Sequence, residues 1–314
     1  MAGPADAGIG YWGCMRYIAL AVVWAACVNA ADSNKSIGPD AVWKDGDRVM
    51  PEIVKACDGA PKFPACFAEQ MERKAPAPAV AFTRSVRNEA WMRGFRKIGR
   101  VDVAWVLYPF RANENPGWLF VNGSPALFDP DDFKRLEGEM KNDPAWARVV
   151  AQYPKALLFP GDRTGALGPV AIEYPDGSQE FIADYRVMDG CHACKVLGNA
   201  FFSFEFNSKG KFTRLRFGGF DKELVWPMLT NAGQRFALVL GCDAEQECDW
   251  TEEQPPSDSV LRATGNRADP TAGVAVLGYQ VTGSGTTQTT LRCASSKGTA
   301  TLVLKITAAP GLRR

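Results

Sequence analysis

The sequence predicts an α+β N-terminal domain, with helices on an antiparallel sheet, followed by an all-β sandwich. Three observations carry that expectation. Helical spacings and helix-capping signals occur only in the first half of the chain. From Ala156 onward, short apolar runs alternate with Gly, Asn and Asp turns, the signature of strands. After Asn231 helical patterns vanish and Thr, Gly, Val and Leu dominate. The expected division is a leader over 1–30, an α+β domain over 31–222 and a sandwich over 229–314. With 314 residues, two domains agree with the usual size per domain.

Residues 31–50 are polar and loop-like. Met50–Ala56 and Pro64–Arg73 read as short helices, and Ala75-Pro-Ala-Pro breaks the chain. Val80, Phe82, Val86, Ala90, Trp91 and Phe95 recur near helical spacing, which predicts an amphipathic helix over Val80–Ile98. Val101–Tyr108 is an apolar strand that turns through 111–117 and returns over Trp118–Val121. Arg111, Asn113, Glu114 and Asn115 crowd that turn. They suit a binding tip, or a solvated turn whose Asn side chains cap their own backbone. Carboxylates open a helix over Asp129–Met140. Asp143 as N-cap and Pro144 at the first position open the next. Strands are then expected over Ala156–Phe159, Pro169–Glu173, Glu180–Val187, Ala200–Phe206 and Phe212–Phe217. The alternation Phe202, Phe204, Phe206 marks one buried face. Gly218-Gly219 and Asp221–Pro227 read as the interdomain linker. The sandwich strands are Gln234–Leu240, Val260–Ala263, Val274–Val281, Thr286–Cys293 and Ala300–Thr307.

Charge argues against two function classes. The net charge of +1 gives no electrostatic case for binding nucleic acid or an anionic membrane. The N-terminus reads as a secretory signal: Arg16, a short apolar run and the small residues Val28 and Ala30 before a cleavage site. Translation could start at Met15. Cys27 would suit lipid attachment, except that Trp24 stands where that signal wants a small aliphatic residue. The expected location is therefore periplasmic or secreted.

Export decides how the cysteines read. Of nine, Cys14 and Cys27 precede the expected cleavage. In an oxidising compartment, close pairs suggest Cys57–Cys66, Cys191–Cys194 and Cys242–Cys248, with Cys293 left as a thiol. Spacing alone does not fix connectivity, and Cys242–Cys293 is an alternative.

The single histidine of the chain, His192, lies inside one of those pairs, in Cys191-His192-Ala193-Cys194. A Cys-x-x-Cys unit could be a thiol–disulfide site, but reactive ones begin a helix, and Lys195-Val196-Leu197 leads toward a strand. A c-type haem would need His after the second Cys. Zinc would need two further ligands. No Ser-His-Asp set or phosphate-binding glycine loop is present. No cofactor and no metal are expected, and no catalytic residue is assigned.

Two stretches resemble known families. Pro144-Ala145-Trp146, Tyr185-Arg186-Val187, the Cys191–Cys194 loop and Phe202-Ser-Phe-Glu-Phe-Asn207 are similar to the Ivy family, periplasmic inhibitors of vertebrate lysozyme. That family carries a Pro-Ala-Trp helix, a Tyr-x-Val strand and a Cys-Lys-Pro-His-Asp-Cys loop. The loop here is two residues shorter between its cysteines and has no Asp. The resemblance implies a protein that is not an enzyme. Its disulfide loop would enter a lysozyme-type cleft, with His192 against catalytic carboxylates. A protonated imidazole pairs best there, so binding is expected to strengthen toward acid pH.

The C-terminal stretch resembles chagasin-type inhibitors of cysteine proteases, whose fold is an immunoglobulin-like sandwich. The agreement lies in Phe236–Leu240, Trp250, Val260-Leu261, Gly278–Gly285 and Gly298-Thr-Ala-Thr-Leu-Val-Leu. Of that family's three protease-binding loops, the first position holds Cys242–Cys248 here and the last has no counterpart. The expected partner is a protein, a lysozyme or an envelope hydrolase. A thiol–disulfide oxidoreductase and a non-enzymatic cell-envelope interaction module are the alternatives.

Overall fold

The computed structural model describes residues 36–111, 115–161, 168–223, 225–241, 249–269, 274–295 and 298–310. The expected leader and Cys27 lie outside them. From Ile37 on the chain forms one unit. Its core clusters stack in order: three helices, a four-stranded sheet, an eight-stranded sheet and a second four-stranded sheet.

The helices are α1 (Gly46–Cys57), α2 (Phe63–Lys74) and α3 (Ala77–Ser85). Prolines sit in the first turns of α2 and α3, where the missing N–H has no intrahelical partner to lose. Cys57 and Cys66 are disulfide-bonded, joining the end of α1 to the start of α2. Met50, Ile53, Phe67 and Met71 bury against Trp91 of the sheet below. Gly46 lies flat on that indole, where a Cβ would stand 2.3 Å from the ring, so the crossing requires glycine.

The helix expected over Val80–Ile98 forms only in its first part. Arg87 and Asn88 take left-handed φ values of 58° and 61°, which end the helical run. Trp91–Arg96 then becomes strand β1. Gly94 costs a helix roughly 1 kcal/mol, and pairing with the strongly apolar strand that follows outweighs the helical spacing. That strand is β2 (Asp102–Leu107), followed by β3 (Pro116–Val121) and β4 (Leu127–Phe128), in sheet order β1-β2-β3-β4. Asp102 is fully buried. Its carboxylate accepts from the Ile98 and Gly99 amides at 2.9 and 3.2 Å, and from Lys97 Nζ and Asn122 Nδ2 at 2.8 Å each. A buried charge saturated in this way locks the β1–β2 turn.

Helices α4 (Phe133–Met140) and α5 (Pro144–Gln152) are capped by Asp132 and Asp143, whose carboxylates accept from the Arg135 and Ala145 amides. The rest is strand: β5 (Ala156–Pro160), β6 (Val170–Glu173), β7 (Gln179–Asp189), β8 (Val196–Phe206), β9 (Phe212–Asp221), β10 (Val225–Asn231), β11 (Arg235–Gly241), β12 (Asp249–Gln254), β13 (Leu261–Asp269), β14 (Val274–Val281), β15 (Gly285–Ser295) and β16 (Gly298–Ala309). The middle sheet has the order β13-β14-β11-β6-β7-β8-β9, with β5 also on β7. The outer sheet is β10-β16-β15-β12, with β10 parallel to β16. One face of the middle sheet carries Phe181, Phe202, Phe204 and Phe206 toward Phe120 and Phe128 of the first sheet. The other face carries Ile172, Ile182 and Phe201 toward Trp226 and the outer sheet.

Three expectations change. The segment read as a linker is mostly strand, because β9 runs to Asp221 and β10 begins at Val225. The composition change after Asn231 brings no gap in the sheet: β11 pairs with β6 through Ala237–Glu173, Leu238–Ile172 and Val239–Ala171. Strand β12 was not foreseen, since its Thr-Glu-Glu-Gln run looks like a solvated loop. Its Trp250 is nevertheless buried, and the indole N–H donates to the Gly241 carbonyl at 3.1 Å.

Candidate functional site

Strands β7 and β8 form a hairpin of 11-residue arms, and the single histidine lies in its turn. The Asp189 amide donates to the Lys195 carbonyl at 3.0 Å and closes the ladder. Gly190 then takes a φ of 85°, with Lys155 so near that a Cβ would lie 3.1 Å from it. Both conditions select glycine. The Cys194 amide donates to the Cys191 carbonyl at 3.0 Å, making a tight four-residue turn. The Cys191–Cys194 disulfide staples the same turn covalently. All residues from Cys191 to Val196 are exposed. The chain therefore projects a turn whose conformational freedom is already reduced before any partner arrives.

The His192 imidazole meets the Phe159 ring edge-on, with centroids 5.5 Å apart. Lys195 places its ammonium 5.6 Å from the centroid of Tyr153. Sequence reasoning missed Phe159 as the aromatic platform. The signal lay in Ala156–Phe159 preceding a strand partner, but nothing in the sequence fixes the β5–β7 register that sets Phe159 opposite Arg186.

Of the second candidate tip, Asn113 and Glu114 lie outside the described residues. Arg111 stacks its guanidinium 3.4 Å from the centroid of Tyr108, and the Asn115 carbonyl accepts from the Tyr108 amide at 2.7 Å. Asn115 also lines an open groove of about 670 Å³ against α1, with Met50, Val54 and Leu107. This turn belongs to the first sheet and the histidine turn to the middle sheet.

The cysteines differ from expectation at one point. Cys293 is disulfide-bonded and so is not the chain's thiol. It is buried on β15, opposite Trp250 of β12. The expected Cys242–Cys248 pair lies outside the described residues. Among the described residues, no cluster of three His, Cys, Asp or Glu side chains could hold a metal ion, and no helix is long and apolar enough to cross a membrane.

A buried polar cluster occupies another part of the middle sheet. Glu180 accepts from Ser203, from the Tyr174 hydroxyl at 2.7 Å and from Arg216 at 2.8 Å. Burial, reinforced by the facing Glu180 carboxylate, pushes the Tyr174 phenol well above its ordinary range. All the acceptors here are occupied by the protein's own donors. The cluster is therefore an internal brace across β7, β8 and β9 and does not present a reactive group.

No family model matches the chain, and no curated protein does. Among solved structures the chain is similar to an endo-fucoidan hydrolase of glycoside hydrolase family 107, at 12% identity and a TM-score of 0.23. The match covers 50% of this chain and 24% of that one, so the chain spans about a quarter of that protein's length.

Proposed function

We propose that this is an exported, non-enzymatic inhibitor or binding protein that presents the Cys191–Cys194 turn to the cleft of a lysozyme-type hydrolase. One observation carries the reading: the only imidazole of the chain stands exposed on a disulfide-closed turn at the tip of a long hairpin. A rigid projection loses little conformational entropy on docking. Imidazole hydrogen bonds to buried carboxylates are charge-assisted and strong. The described disulfides suit an oxidising compartment. The turn runs into β8 and begins no helix, so no helix N-terminus lowers a thiol pKa, which counts against a thiol oxidoreductase.

The C-terminal strands serve as scaffold in this reading, in an immunoglobulin-like arrangement. β13-β14-β11 faces β10-β16-β15-β12, with a buried Trp on β12 beside a disulfide cysteine on β15. Strand β6 occupies the free edge of β11 and ties the scaffold to the hairpin that bears the histidine.

The test is titration of the full chain against a vertebrate C-type lysozyme, by calorimetry and by cell-wall lysis. His192→Ala should weaken binding about 30- to 1,000-fold, the effect of removing a donor from buried carboxylates at roughly 2–4 kcal/mol. Absence of lysozyme binding, or binding indifferent to His192→Ala and to reduction of the turn, overturns the reading.

A further inference from the structure

Beside the histidine turn, one row of the middle sheet carries exposed apolar side chains at its two ends, with Met188 buried between them. Residues opposed across antiparallel strands share a face. Leu157 on β5 opposes Met188 on β7, which opposes Val196 on β8. In the next row Phe159 opposes Arg186. Leu158 and Val187, one residue along, point to the other face and join the core beneath the first sheet. Leu157 and Val196 are 45% and 52% exposed, two of the three exposed large apolar side chains among the described residues. Arg186 and Lys155 are exposed on the same face as Leu157 and form no ion pair among the described residues. Asp189 falls on the opposite face, with Val187. The face thus combines two apolar side chains, an aromatic edge and two cations that form no ion pair among the described residues, beside the buried Asp184 and, two strands from Arg186 in the same row, Asp221.

We infer that this face, centred on Arg186 with Leu157, Phe159 and Val196 around it and Lys155 at its rim, is a docking surface for a protein segment that carries carboxylates beside apolar side chains. Charge complementarity selects the acidic partner, and Arg186 offers a fork that takes a carboxylate through two hydrogen bonds. The apolar rows select a protein over an acidic polysaccharide, which would leave Leu157 and Val196 wet. Arginine and aromatic groups set among apolar neighbours are the usual anchors of protein interfaces. The inference rests on the proposal that partners approach this end of the hairpin, and it enlarges the contact from the turn to the sheet.

The experiment uses the full chain and three probes without lysozyme: labelled synthetic peptides of alternating Glu and Leu or of alternating Lys and Leu, and sulfated dextran. Binding is read by fluorescence anisotropy and located by hydrogen exchange. The Glu–Leu peptide should bind and protect residues 155–159 and 185–197, and the Lys–Leu peptide should not bind. Arg186→Glu should weaken binding about tenfold or more, and Lys155→Glu is the second variant should the first fail to fold. Leu157→Ser with Val196→Ser should cost about tenfold by lost apolar burial. No peptide binding, protection elsewhere, or indifference to the charge reversals overturns the inference. Dextran binding that survives the double serine change overturns it in favour of a polyanion site. His192→Ala against lysozyme reads the turn and these peptides read the sheet face, so either proposal can fail alone.

Discussion

Ile172→Ala tests whether the two halves of the chain fold as one. Ile172 is fully buried, opposes Leu238 across the β6–β11 pairing and lies in the cluster that includes Trp226, Leu238 and Leu304. Removing three methyl or methylene carbons from such a site costs about 2–5 kcal/mol, the lost transfer energy plus the cavity left behind. At ~2–4 °C per kcal/mol for a chain of this size, the melting temperature should fall by roughly 5–15 °C. Because β6 is the strand between β11 and β7, the loss should be felt on both sides. Scanning calorimetry should show one transition before and after the substitution. Hydrogen exchange in denaturant should lose protection over 179–187 and 274–281 at the same midpoint. Two calorimetric transitions, with only one displaced by Ile172→Ala, would refute a cooperative shared sheet and restore two independent domains.

The cysteines give a second expectation: Cys293 resists alkylation of the native chain, and non-reducing peptide mapping joins it to Cys242 or Cys248, leaving the other as the thiol; a Cys242–Cys248 cross-link would show this to be wrong. Glu180→Ala should destabilise the chain by about 3 kcal/mol, because Arg216 loses its best-buried partner; an unchanged denaturant midpoint would remove Glu180 from the structural account. Burial, helped by neighbouring carboxylates, raises the phenols of Tyr108, Tyr174 and Tyr279. Their raised folded-state values mean that this contribution to stability is complete below about pH 10, the ordinary phenol range, and is lost as pH climbs above it. Absorbance at alkaline pH should show these hydroxyls ionising together with unfolding, and early ionisation without a change in circular dichroism would count against their burial. Arg111→Ala, in the turn of the first sheet, should leave binding unaltered if the histidine turn makes the contact, as proposed; a loss comparable to that of His192→Ala would move the functional tip to the first hairpin.

What the sequence made legible, and what it hid, follows from the range of the forces involved. The strands whose apolar residues alternate, Phe202 to Phe206 above all, and the helices capped by Asp132 and Asp143 are specified by neighbours within a few residues, and they form where those signals lie. Val80–Ile98 carried a local helical period, but the neighbour that decides its second half is β2, so a nonlocal pairing overrides it. The turn bearing His192 was visible because its chemistry is dense: one imidazole, two cysteines and a glycine within five residues. The surface beside it was not, because Leu157, Arg186 and Val196 are separated by up to 39 positions and meet only through strand register. Periodicity says that Arg186 faces away from Tyr185 and Val187, but it does not say whether that direction is water or another sheet. The outer sheet covers Phe201, which packs on Trp226 at 5.5 Å, while Leu157 and Val196 stand half in solvent. Which side chains a covering layer reaches is a property of the whole stack, and here apolar and cationic groups stay exposed beside a turn stiffened by a disulfide. A partner that met only the turn would gain a few hydrogen bonds. A partner that also lay along the rows beside it would bury Leu157 and Val196 and pair with Arg186, so the rigid turn would set orientation while the sheet face supplied most of the contact area.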